Sequence, residues 1–237
     1  QERQSGRDAA ARFERLRQLG LIDASWELSR QAGDWSRGEH KAWDARCMEV
    51  YAAMVERMDA GLRRIVEQLR AQGQLENTLV LFLQDNGGCA EGMGRGPKGS
   101  PRADAPSLPP LGKDYLQPDM IPRQTRDGFP MRQGKGVMPG AGDTYIGYGE
   151  AWATVSNTPF RKHKHWVHEG GISTPLIAHW PKGITAKGEL RKQPGHLIDL
   201  APTILELAGG HWPATFAGQP VPPAPGKSLV PVFAKDE

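Results

Sequence analysis

Residues 79–92 read LVLFLQDNGGCAEG. An apolar run suited to a buried strand stops at Gln84, and a carboxylate and an amide, Asp85 and Asn86, come next, directly before a pair of glycines. From Thr78 to Leu83 the strand is apolar on both faces, as in a sheet covered by helices on both sides. In such sheets ligands gather beyond the carboxyl ends of the strands, which is where Asp85 and Asn86 lie. Two readings stay open. Asn-Gly is a favoured turn pair, and an Asp before it bonds the turn's own backbone. Alternatively the two side-chain oxygens are held out for a hard cation, calcium or magnesium, whose shell of six or more oxygens needs further ligands.

The flanking sequence sets this strand in an α/β arrangement. Upstream, the spacing predicts a long helix from Asp44 to about Gln72, with Asp44 as its N-cap and Gly73 as its stop. Cys47, Tyr51, Met54, Met58, Leu62, Ile65 and Leu69 recur there every three or four residues, an apolar stripe that reads as core packing. A shorter helix is expected over residues 8–19, closed by Gly20, and a polar, Trp-bearing segment then runs to about residue 43. Downstream, twenty-one of the fifty-nine residues from 92 to 150 are Pro or Gly, so this is a long excursion with little regular structure. A strand over 172–180 and a helix over 199–208 follow. Pro202 falls in that helix's first turn, and Gly209-Gly210 ends it. The tail, 211–237, is Pro-rich and irregular.

Composition narrows the function classes. Of 237 residues, 38% are hydrophobic and 24% charged, the profile of a water-facing globular protein. Lys plus Arg number 30 against 27 Asp plus Glu, too slight an excess to point to nucleic acid. Cys47 and Cys89 lack CxxC spacing and build no disulfide framework. No apolar run approaches the length of a transmembrane segment. The chain opens at Gln1 in charged, helical-looking sequence with no signal peptide, as an internal piece of a longer protein would.

A second stretch carries concentrated charge: SNTPFRKHKHWVHEGGISTPLIAHWP, residues 156–181. Arg161, Lys162 and Lys164 interleave with His163, His165 and His168. This is a solvated basic segment, or a transition-metal site in which His163 and His165 share one face of a strand with Glu169 nearby, or an anion pocket where one lysine neutralises a tetrahedral oxyanion.

Three segments in order carry a resemblance: NTLVLFLQDNGG (77–88), NTPFRKHKHWVHEGGISTPLIAHWPKGI (157–184) and HLIDLAPTILELAG (196–209). Together with YAAMVERMDAGLRRIVEQL (51–69) they resemble the sulfatase family of the alkaline-phosphatase-like superfamily, with its bacterial arylsulfatase-type members most similar. The likeness runs from about residue 8 to about 232. It implies a central, mostly parallel sheet flanked by helices, incomplete here, with residues 1–237 forming part of one catalytic domain. It implies that Asp85 and Asn86 are metal ligands for Ca2+, and that Lys164, five residues before Glu169, is a catalytic residue contacting the substrate's sulfate and leaving-group oxygen. The EGG turn is expected to be structural, its glycines reaching backbone conformations closed to other residues. His168 stands where many relatives have an aromatic residue, and Gln84 where a serine is common.

The family's chemistry is hydrolysis of a sulfate ester by a hydrated formylglycine made from Cys or Ser. A metal acts as Lewis acid, and lysine and histidine offset charge on the sulfate and the departing alkoxide. The nucleophile motif Cys/Ser-x-Pro-x-Arg does not occur in this sequence. The early Asp-Asp metal pair and the catalytic histidine of relatives are expected upstream of residue 1, and a smaller C-terminal subdomain beyond GKSLVPVF. The expectation is therefore an internal fragment, inactive alone, of an enzyme acting on a small-molecule or carbohydrate sulfate ester, with periplasmic or secreted location implied by the resemblance. Two alternatives remain: a phosphatase or phosphonate hydrolase of the same superfamily, and an inert truncated chain with a binding role.

Overall fold

The structure, a computed structural model, describes residues 4–30, 32–33 and 38–236. Part of the Trp-bearing segment (31 and 34–37) therefore lies outside the described residues. Among the described residues five α-helices and four strands follow one another, besides short 3-10 turns: α1 (Gln4–Gln18), α2 (Lys41–Ala71), β1 (Val80–Leu83), α3 (Glu150–Ser156), α4 (Glu169–Ile172), β2 (Leu176–His179), α5 (Leu200–Leu207), β3 (Thr215–Phe216) and β4 (Gln219–Pro220). The chain divides into two compact units, residues 1–64 with 86–174 and residues 65–85 with 175–237.

In the first unit α1 packs on α3. Ala9, Trp152 and Val155 are buried together, with Leu28, Met48 and Tyr148 against them. The excursion 92–150 contains no helix or strand before Glu150, only three isolated bridges, yet it is tied down. Trp43 Nε1 donates to Val137 O at 2.7 Å, and Trp152 Nε1 to Asp44 O at 2.8 Å. The Arg95 guanidinium lies 4.7 Å above the Trp43 ring and donates to the carbonyls of Gly147 (2.9 Å) and Tyr148 (3.1 Å). It also pairs with the Asp44 carboxylate. That pairing corrects the capping expectation: Asp44 sits inside the first turn of α2, and its side chain holds Arg95. Further along, Arg132 grips the buried Asp143 through two nitrogens, at 2.7 and 3.2 Å.

In the second unit β1 pairs antiparallel with β2, Val80 opposite His179 and Leu83 opposite Leu176. A backbone bond from Lys182 N to Glu76 O (2.8 Å) ties the approaches to the two strands. Helix α5 carries Pro202 in its first turn and stops at Gly209, whose φ of +68° is in the left-handed region that glycine accepts. The Pro-rich tail is less irregular than its composition implies. It forms the β3–β4 pair and a short 3-10 turn at Pro231–Phe233. Asp199 and Thr203 anchor it, accepting from Lys227 N and Leu229 N, each at 2.8 Å.

Two expectations change. Both sheets among the described residues are two-stranded and antiparallel, and the mostly parallel central sheet is not among them. The apolar stripe of α2 is not core: Cys47 is buried, but Met54 is 58% and Ile65 60% exposed, with Met58 and Leu62 also open to solvent. The 3.6-residue period was legible. What covers the stripe was not, because periodicity marks an apolar face without naming its partner.

Candidate active site around the turn after strand β1

Asp85 follows β1 after one residue and is exposed; Asn86 beside it is half-buried. The turn they open is not the Asn-Gly hairpin type, because neither Gly87 nor Gly88 adopts a positive φ. Their smallness serves a close approach instead. A Cβ on Gly87 would collide with Gly170 O, and one on Gly88 would stand 2.8 Å from the Tyr148 hydroxyl.

Three hydrogen bonds fasten this turn to the basic segment, and a fourth, inside the segment, braces the residue that makes one of them. Gly87 N–H donates to Gly171 O (2.9 Å), and Lys164 N–H donates to Gly88 O (3.1 Å). Asn157 bridges the two sides: its Oδ1 accepts from Gly88 N (2.7 Å) and its Nδ2 donates to Lys162 O (3.1 Å). The EGG expectation is thus half right. Gly170 and Gly171 are buried and structural, but neither has a positive φ. A Cβ on Gly170 would strike Arg161 O, and one on Gly171 would strike Trp166 O. Close packing, not backbone freedom, demands glycine there.

Lys164 is half-buried, and its Nζ lies 3.4 Å from Glu91 Oε1. The same oxygen sits 3.0 Å from His165 Nε2. The His165 hydrogen bond, with Cys89 and Lys164 adding to it, holds the Glu91 carboxyl below the usual glutamate range. Lys162 and His165 both have left-handed backbones, φ +71° and +80°. Residues without glycine's freedom hold that conformation only where neighbours enforce it. His163 faces Glu150 (3.3 Å) and the Lys164 carbonyl (3.0 Å). Lys162 Nζ caps the Trp166 ring at 4.2 Å, and His168 stacks on that ring at 6.0 Å.

This geometry overturns the shared-face reading of the histidines. Residues 161–168 form a loop, not a strand, and His163 and His165 turn to different carboxylates. Among the described residues no group of three or more His, Cys, Asp or Glu side chains converges to hold a metal ion. The donors of Asp85 and Asn86 are hard oxygens, which suits calcium or magnesium in kind but fills only part of a shell. Sequence reasoning passed over Glu91 and Asn157 although both lay inside the stretches it singled out. The signal was three cations within four residues, Arg161 to Lys164, with Glu169 alone as a nearby carboxylate in sequence, which asks for further carboxylates brought in from elsewhere.

The family model described as Sulfatase matches residues 11–210. The chain belongs to the sulfatase family. It is 31% identical over 223 residues to an arylsulfatase of Klebsiella aerogenes, an alignment covering 92% of this chain and 42% of that protein. An uncharacterized sulfatase of Schizosaccharomyces pombe is 32% identical over 198 residues, 82% of this chain and 31% of that protein. The steryl-sulfatase of Mus musculus is 26% identical over 186 residues, 78% of this chain and 20% of its own length. The chain thus spans less than half the length of these sulfatases. The substrates of sulfatases are sulfate esters, and the family generally uses a metal ion.

Proposed function

We propose that residues 1–237 supply part of the active site of an arylsulfatase-type sulfuric ester hydrolase, acting on an aryl or carbohydrate sulfate by a calcium-assisted formylglycine route. The observation that carries this reading is the fastening of the turn behind Asn86 to the loop bearing Lys164, through Gly88 O and the bridging Asn157. It gives a physical reason for two motifs some eighty residues apart to act as one unit.

On this reading the side-chain oxygens of Asp85 and Asn86 hold the calcium ion with ligands from outside these residues. The bound ion would polarise a sulfate oxygen. Lys164 donates its ammonium protons to the sulfate and to the leaving-group oxygen as negative charge develops there. An ammonium has three donors, so its contact with Glu91 leaves two for the ester. Residues 1–237 belong to one catalytic domain, and β1 is a strand of the mostly parallel sheet of an alkaline-phosphatase-like fold. The nucleophile comes from outside these residues, since no Cys or Ser here has the x-Pro-x-Arg context.

The test is turnover of p-nitrophenyl sulfate against p-nitrophenyl phosphate by the full-length protein. Sulfate hydrolysis that falls about a hundredfold or more in Lys164→Ala is expected, the usual loss for a transition-state charge donor. A preference for the phosphate ester would favour the phosphatase alternative, and unchanged turnover in Lys164→Ala would remove that residue from the site. The chain alone is expected to be inert, and sulfatase activity from purified residues 1–237 would overturn its partial role.

A further inference from the structure

We propose that Glu91 is a positioning residue for Lys164, holding its ammonium toward the turn after β1 while His165 locks the carboxylate in place; this rests on the reading of Lys164 as the sulfate-binding lysine. Glu91 lies five residues beyond Asn86, and its Oε1 receives both Lys164 Nζ (3.4 Å) and His165 Nε2 (3.0 Å). The two contacts differ in kind. The shorter one reaches His165, whose left-handed backbone (φ +80°) requires an outside constraint, and the Glu91 carboxylate supplies one. The longer one reaches Lys164, and at 3.4 Å between half-exposed groups it guides the ammonium without trapping it.

Backbone and side chain then act together. Lys164 is held at its N–H by Gly88 O, bracketed by left-handed residues at 162 and 165, and steered at its tip by Glu91. A lysine has four rotatable side-chain bonds, and an unsteered ammonium would spend much of its time away from any one position. Placement of a charge donor is where small displacements cost large factors in rate. The low titration range of Glu91 agrees, since it stays an anion while two cation-capable groups face it. No other carboxylate is paired with Lys164 among the described residues.

The experiment is a double-mutant cycle in the full-length protein, Glu91→Gln, Lys164→Ala and the pair, reading kcat and KM for p-nitrophenyl sulfate. Glu91→Gln keeps the shape and one acceptor but removes the charge. It is expected to lower kcat about tenfold with KM nearly unchanged. The double variant is expected to be no slower than Lys164→Ala alone, because Glu91 acts through the lysine. A purely structural role would instead give losses that multiply, and that result would overturn the proposal. If Lys164→Ala loses turnover but Glu91→Gln does not, the positioning role fails while the reading of Lys164 stands. If Lys164→Ala leaves turnover intact, both fail. A second measurement avoids activity altogether: carbon-13 titration of the Glu91 carboxyl in the full-length protein. Its midpoint should lie below the usual glutamate range and move up in His165→Asn, a change that tolerates the left-handed backbone. An ordinary midpoint unaffected by that change would count against the anchor.

Discussion

At Gly87 a single hydrogen atom is the side chain, and the structure leaves room for nothing larger. Its N–H bonds Gly171 O, while the space a methyl would need is filled by Gly170 O. Gly87→Ala is therefore expected to part the turn from the EGG segment. The cost should be about 2 kcal/mol of overpacking, read by urea unfolding, with loss of sulfatase turnover in the full-length protein. Gly73→Ala makes a useful contrast: nothing surrounds that site, and only its left-handed φ of +66° resists. The two cysteines also separate cleanly. Burial raises the Cys47 thiol to about 11, and the thiolate is the reactive form. Cys89 is half-buried, so iodoacetamide at neutral pH is expected to label Cys89 first and leave Cys47 largely unmodified. Equal labelling by mass spectrometry would mean that α2 opens readily around Cys47.

Among elements, the excursion 92–150 shows how a segment without helix or strand keeps a shape. Arg132 and the buried Asp143 form a forked ion pair, reinforced by the backbone bond from Arg132 N to Asp143 O at 2.7 Å. Removing the arginine would leave the buried carboxylate only the longer contact to Arg102 at 3.8 Å, so Arg132→Ala should cost about 1–3 kcal/mol. The Arg132 hydrogen bond holds the Asp143 carboxyl below its ordinary value of 3.8. A depressed carboxylate stabilises the fold fully above that ordinary value and loses its contribution as pH falls toward the lower, folded one. Acid unfolding monitored below about pH 4 should therefore be less steep in Asp143→Asn. An unchanged acid transition would show that other carboxylates govern it. Elements of this kind explain what the sequence made legible. Helices α1, α2 and α5 and their glycine stops were plain, because local period and glycine stops are written in consecutive residues, whereas the Asp44 cap was not. The Asp85-Asn86 turn was singled out by its place after an apolar strand, and Lys164 by the family resemblance of the segment that carries it. Glu91, Asn157 and the Arg95–Asp44 pair were not, because each depends on segments brought together from far along the chain.

For the molecule as a whole, the exposed stripe of α2 and the open residues Leu176 and Ile177 of β2 govern behaviour in water. A net charge of +3 is small protection for that much apolar surface. Purified residues 1–237 are expected to self-associate with rising concentration, and Met58→Glu with Ile65→Lys to reduce it, as read by light scattering. Scattering that stays at the monomer value would show the stripe to be well solvated. Calcium should bind this chain weakly, since Asp85 and Asn86 bring two oxygens to a shell of six or more, and calorimetry showing tight binding would contradict that share. The contact of Gly87 with Gly170 has a further consequence for protein engineering. Glycines eighty-three positions apart form a single mechanical joint, so a combinatorial library that diversifies one loop while freezing the other samples mostly broken hinges. Useful variants in either loop will come from recombining both as a matched cassette.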